Sequence, residues 1–194
     1  LWVSPEIINS NDSTTFSTIE YIGRDIRSVW DAREELLWPD ESMQLNVYLF
    51  NVQYKDSLDI EVQVNPEFID STKAQNAALK YSIEIGRLPT FTRRNLKTLV
   101  IHKGYEHMTT TDWTNMILYT DYSESNYEPY GWLEEAFLHD AGHHGFDLEC
   151  RDDENWIEAQ NLDGEFISEY AKNHPIREDL AESFAMWVAV RYKS

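Results

Sequence analysis

The 194-residue sequence contains a single cysteine, Cys150, which excludes an intrachain disulfide and any cysteine-rich metal site. Basic residues are scarce. Sixteen Lys and Arg stand against 35 Asp and Glu, a formal charge of −19. That shortage argues against wrapping nucleic-acid phosphates and against docking on anionic membranes, both of which need clustered cations. Long apolar runs are also missing: none approaches the roughly 20 residues of a membrane-spanning helix, so membrane insertion is not expected. Internal repeats, low-complexity tracts and Gly/Ser linkers are absent. No charged-then-apolar leader stands at Leu1, which suggests a mature or excised chain. The sequon Asn11-Asp12-Ser13 gives a lean towards a secreted, extracellular protein.

Aromatic residues, by contrast, make up 13% of the chain, and clear apolar periodicity argues against intrinsic disorder. A folded chain of 22.8 kDa hides roughly 70% of its unfolded surface, enough for one core without staples. A single domain over 1–194 is expected, with a helix-and-sheet part over 1–130 and a helical part over 131–194.

Ser17-Thr18-Ile19-Glu20 spells a capping box, and Ile19, Ile22, Ile26, Val29, Trp30, Leu36 and Leu37 follow at helical spacing up to Pro39. This predicts an amphipathic helix over about 16–37. Alternation around Leu45, Val47 and Leu49, and again around Ile60, Val62 and Val64, predicts two strands wet on one side. Residues 71–86 read as a helix closed by Gly86. Thr98–Ile101 and Met116–Tyr119 read as strands separated by a Thr-rich loop over 103–115. Helices are expected over 132–144 and about 176–192. The order of elements predicts an α+β fold.

The chemistry concentrates in Glu134-Glu135-Ala136-Phe137-Leu138-His139-Asp140-Ala141-Gly142-His143-His144. Residues four apart share a helix face, so His139 and His143 can offer two ring nitrogens to one tetrahedral zinc. Spacing alone leaves open two helix histidines satisfied by ordinary hydrogen bonds. Glu135, one turn before His139, is placed to hold that ring's second nitrogen. Downstream, Glu178 and Glu182 lie at i and i+4 beside an apolar stripe. They read either as a solvated edge or as the source of a third ligand.

The histidine string resembles the active-site helix of zincin metallopeptidases, normally HExxH. Phe166-Ile167-Ser168-Glu169-Tyr170-Ala171, with Pro175 and Glu178-Asp179-Leu180-Ala181-Glu182-Ser183-Phe184-Ala185, resembles the third-ligand segment of the gluzincins, as in the peptidase domain of anthrax lethal factor. The likeness covers about residues 97–192. It implies a zincin-like fold with a small mixed sheet, one Zn2+ per chain on His139, His143 and Glu178, and Glu182 supporting a histidine. It further implies Tyr170 as donor to the developing oxyanion and Met116–Tyr119 as the cleft edge for a peptide or protein substrate. The family's general base is Glu directly after the first histidine; here it is Asp140, whose carboxylate is withdrawn by one methylene.

The resulting expectation is a zinc metalloendopeptidase, weakened by Asp140, or an inactive secreted zinc-binding protein. A third possibility comes from His139-Asp140-x-x-His143, which resembles the His-Asp phosphohydrolases, where the Asp is itself a ligand. That family requires a further upstream histidine, for which His102 and His107 are the candidates. Among weaker signals, His144 reads as a surface or supporting group and the acidic run from Asp147 to Glu154 as a solvated loop rather than a Ca2+ site. Tyr119, Tyr122, Tyr127, Tyr130 and Trp132 fit either a peptide cleft or plain packing. Cys150 reads as an inert thiol.

Overall fold

The computed structural model describes residues 3–34 and 41–192. Six strands form one mixed sheet: β1 (Phe16–Val29), β2 (Met43–Tyr54), β3 (Ile60–Val64), β4 (Thr98–His102), β5 (Thr109–Thr111) and β6 (Asn115–Tyr119), in the order β1-β2-β3-β4-β6-β5. The β1–β2, β2–β3 and β5–β6 pairs are antiparallel, whereas β3, β4 and β6 run parallel. The helical segments are α1 (Ser71–Ile85), α2 (Thr90–Arg93), α3 (Thr120–Tyr122), α4 (Leu133–Gly142), α5 (Leu148–Cys150), α6 (Glu154–Asp163), α7 (Glu169–Asn173) and α8 (Pro175–Tyr192). The fold is therefore α+β, with helices concentrated in the C-terminal part.

Strand alternation decides what the sheet buries. Phe50, Val62, Leu99, Ile101, Met116 and Leu118 face the helices and join Tyr81, Ile85, Phe137 and Leu138 in the main core. The opposite face carries a smaller cluster of Val29, Val47, Leu49, Val100, Ile117 and Tyr119. Helix α1 starts where Asp70 Oδ1 accepts from Lys73 N at 2.8 Å. It ends at Gly86, where a Cβ would lie 2.8 Å from the Phe16 backbone nitrogen, so glycine is required for close approach of the chain.

The amphipathic helix expected over 16–37 is instead strand β1, and the Ser17–Glu20 capping box lies within it. Leu36, Leu37 and Pro39 fall outside the described residues. Two physical reasons account for the difference. Thr18, Ile19, Tyr21, Ile22, Ile26 and Val29 are β-branched or aromatic and favour a pleated surface. Register shifts at Phe16/Thr18 and Tyr21/Gly23 insert bulges, which break the period of two and leave apolar residues at three-residue spacing. The supposed buried stripe is split: Ile22 and Ile26 are exposed at 43% and 53%, whereas Val29 is buried. The Thr-rich loop also holds a strand, β5, which was too short and polar to announce itself. Consequently Met116–Tyr119 is an inner strand, and β5 is the sheet edge.

Just beyond β1 the chain is fixed by a buried polar network. Asp31 is fully buried and accepts from Arg33 Nε at 2.9 Å and from Tyr119 Oη at 3.2 Å. Arg33 also reaches Glu67 at 2.9 Å. His102 stacks on Tyr119, accepts from Asn65 Nδ2 at 2.8 Å and donates to the Trp30 carbonyl at 3.2 Å. Burial holds the His102 imidazole below its ordinary value and therefore neutral. Burial pushes the Asp31 carboxyl up, but the Arg33 guanidinium outweighs it and holds the group below the usual carboxylate range. The network positions Trp30 and Ala32, which reappear below as part of a cleft wall.

Asp31→Asn should cost roughly 2–3 kcal/mol near neutral pH, moderated because Arg33 keeps Glu67. Because the folded-state pKa is depressed, this contribution is complete above about pH 4 and is lost as pH falls further. Urea unfolding across pH should therefore show the wild-type advantage shrinking in acid; equal stability of the two proteins at pH 7 would refute the role.

Candidate metal centre

Helix α4 carries the histidines through the middle of the structure: of its ten residues only His139 is not buried. Beyond Gly142 the chain opens into one turn of π-helix, His143–Asp147. Helix α8 packs alongside, where small residues meet; a methyl on Gly142 would touch the Cα of Ala181 at 3.4 Å. This packing delivers Glu178 to the histidines. Its Oε2 lies 3.3 Å from His139 Nε2 and 3.5 Å from His143 Nε2. One ligand atom from each of His139, His143 and Glu178 lies within 4.8 Å of the others, the arrangement that could hold a metal ion.

The supporting contacts differ partly from expectation. His143 Nδ1 bonds Asp147 Oδ2 at 2.9 Å, the carboxylate–histidine contact that fixes a ligand's ring and tautomer. Sequence reasoning missed Asp147 by grouping it with an acidic loop. Its signal was there: His139, His143 and Asp147 are successive steps of four residues. Glu135 does not hold the His139 ring; its carboxylate accepts from the backbone nitrogens of Val3, at 2.5 Å, and Ser4, at 3.1 Å, tying the N-terminal segment to α4. Glu182 accepts from Ser168 Oγ, and the same hydroxyl caps α7 by accepting from Ala171 N at 3.0 Å. Glu182 thereby anchors the short helix that carries Tyr170.

His139, His143, Glu178 and Glu182 line a cleft of about 560 Å³ that also includes Asp140, Tyr170, Arg177, His107, Thr109 and Tyr127, with Trp30 and Ala32 on its wall. Tyr170 is half exposed, and burial together with the charge of Glu178 raises its phenol. Asp140 is 8% exposed, and burial pushes its carboxyl up against the opposing pull of His139 and His143. Burial alone would raise Glu178, but His139 and His143 outweigh it and hold that carboxyl far below its ordinary range. For His143, burial is overcome by Asp147 and Glu178, which hold the imidazole up to about 10. The charges of Asp147 and Glu178 around His143 thus favour positive charge on that ring. Two imidazole nitrogens and one carboxylate oxygen, with a carboxylate behind one ring, are donor types that could hold a metal ion such as zinc.

Other expectations resolve as follows. His144 is fully buried rather than at the surface; its Nδ1 bonds the Trp113 carbonyl at 2.6 Å, and burial lowers it to about 4. His102 lies inside the sheet network, and His107 lines the cleft without joining the three-residue ligand group, as does Asp140. Of the aromatic cluster, Tyr127 reaches the cleft, whereas Tyr119 belongs to the core on the far sheet face. Among the described residues no second metal-holding group occurs, the acidic 147–154 stretch included. No helix among them is long and apolar enough to cross a membrane. Comparison with known proteins returned no match to any family model, any curated protein or any solved structure, so the chemical reading rests on the site's own geometry.

Proposed function

We propose that this chain is a zinc-dependent metallopeptidase of zincin type, holding one Zn2+ on His139, His143 and Glu178. The observation that carries this reading is the convergence of two imidazole nitrogens and one carboxylate oxygen from α4 and α8 at the floor of a cleft bordered by β5. Zinc, when bound, polarises water and the scissile carbonyl. Asp140, beside that floor, takes a proton from the attacking water and returns it to the leaving amine nitrogen. Its buried position keeps its carboxyl above the ordinary aspartate value, nearer to what a base working at neutral pH requires. Tyr170 donates its phenolic proton in a hydrogen bond to the oxygen that gains negative charge. The edge strand β5, whose Thr109 lines the cleft, accepts an extended peptide as an added strand, the task first ascribed to Met116–Tyr119.

Aspartate in place of glutamate limits this activity. A carboxylate withdrawn by about 1.5 Å is far outside the tolerance of a proton relay, where about 1 Å costs on the order of 100-fold. The zinc site is independent of that defect, because none of its three ligands is altered. Secretion has as its one support the Asn11 sequon, which lies in an exposed turn.

The purified protein should carry about one zinc per chain by elemental analysis, and His139→Ala should lose it; a protein that binds no divalent metal at micromolar concentrations would end the catalytic reading. Asp147→Asn should keep the fold but weaken zinc affinity by about 10- to 100-fold in a chelator competition. Asp140→Glu should raise cleavage of a broad peptide pool at least ~10-fold. Cleavage by neither form, with zinc bound in both, would instead assign the chain to zinc-dependent recognition without hydrolysis.

A further inference from the structure

A second cavity, of about 410 Å³, shares His143 and Arg177 with the cleft and is otherwise lined by Thr110, Asp112, Trp113, Asp147 and Arg151. Successive β5 residues divide between the two spaces: Thr109 lines the cleft and Thr110 the second cavity.

Its wall is built at a conformational cost. The turn joining β5 to β6 places both Asp112 (φ 52°) and Trp113 (φ 57°) in the left-handed region, with Thr114 N donating to Thr111 O at 3.3 Å. Hairpins of this kind favour Asn-Gly, and a bulky residue at positive φ is an outlier that surrounding contacts must enforce. Two contacts do so. His144 Nδ1 holds the Trp113 carbonyl at 2.6 Å, and the Arg151 guanidinium lies over the indole, 4.8 Å from its centroid. The strained turn thus presents Trp113 as a platform that orients Arg151 at the cavity.

The charge of Arg151 is not spent inside this space. Asp147, the buried acid there, gives Oδ2 to His143, while its Oδ1 and Arg151 Nε are both buried without a hydrogen-bond partner. Asp112 is exposed on the turn, and the ion-pair partner of Arg151 is Asp152, at 3.5 Å, with a side chain 73% exposed. Thr110 adds a hydroxyl of the edge strand.

We propose that this cavity is a subsite for the acidic side chain of a bound peptide, a Glu or Asp whose carboxylate is received by Arg151 on its Trp113 platform, with Arg177 at the border to the cleft. The inference rests on the reading of the cleft as a peptide site with β5 as its edge. A guanidinium backed by an aromatic face gives planar recognition of a carboxylate. It also supplies discrimination that the remainder of this acidic molecule opposes, so that an acidic residue is accepted at one position and repelled elsewhere.

Two measurements test the proposal. In the first, zinc-loaded protein cleaves peptides identical except for Glu, Gln or Lys at each position flanking the scissile bond. At one position Glu should exceed Gln in kcat/KM by about 10-fold, a preference lost in Arg151→Gln and kept in part by Arg151→Lys. The second needs no turnover. The Arg151 Nε–H resonance, assigned by its loss in Arg151→Lys, is followed as N-acetylglutamate amide, N-acetylglutamine amide or N-acetylglycine is added. The glutamate compound alone should move it. Movement without cleavage of any peptide keeps the subsite and overturns the peptidase reading. Cleavage with no Glu preference and no movement overturns the subsite alone. Movement by N-acetylglycine but not by the glutamate compound assigns the cavity to a terminal carboxylate and also overturns the proposal.

Discussion

The site depends on one packing event, the seating of α8 against α4 closely enough for Glu178 to meet two imidazoles. Gly142 and Ala181 make that approach possible, and Phe184 closes it by packing on Phe91 and Phe146 at centroid distances of 5.7 and 4.8 Å. Glu178 and His143 are withdrawn from water as a result, an arrangement tolerated only when each charge has a partner. Glu178 has the histidines on one oxygen and Arg177 Nε at 3.3 Å from the other, and His143 has Asp147. Apolar helix packing thus enforces a polar cluster that would not assemble by its own attraction.

The π turn after α4 extends this constraint to the sheet. Consecutive helical residues point about 100° apart, so the two histidines serve different sides: His143 turns to Glu178, and His144 turns to the hairpin that ends the edge strand. Neighbouring side chains hold the widened backbone, with Asn95 Nδ2 donating to the His144 carbonyl at 2.7 Å and Arg94 to that of Gly145 at 3.0 Å. A Cβ at Gly145 would lie 3.0 Å from Thr92 Cα, so the turn also needs glycine where it meets α2. The π turn therefore contacts both the candidate site, through His143, and the β5–β6 hairpin, through His144. Lids or long loops are not needed for that coupling.

How much of this was legible in the sequence follows from how local each determinant is. The His139/His143 pair and the Glu178 segment could be read because helical spacing is a property of adjacent residues, and β3 and α1 for the same reason. Strand β1 was misread because its bulges imitate helical periodicity, and only its pairing with β2 reveals them. Glu135 was misassigned because its partners, Val3 and Ser4, lie more than 130 positions away. Strand β5 escaped notice because three threonines carry no apolar alternation. The edge it forms is defined by sheet order, which depends on non-local contacts. Asp147 was within reach of the four-residue step and was lost to its acidic neighbours.

The excess of negative charge, finally, is not only a surface property. Eight carboxylates are buried among the described residues: Asp31, Glu134, Glu135, Asp140, Asp147, Glu178, Asp179 and Glu182. Burial of an acid is costly, so each calls for compensation, and most of them have it close by. Asp31 has Arg33, Glu135 has backbone amides, Asp179 has Gln160 Nε2 at 2.8 Å, Glu182 has Ser168 and Asp147 has His143. Glu178 and Asp140 differ from these, because the positive charge that balances them is supplied chiefly by histidines that must be neutral to bind a metal. Glu178 belongs to the three-residue group that could hold a metal ion and Asp140 lines the same cleft, so the buried acids offset chiefly by histidines are gathered at one place in the fold.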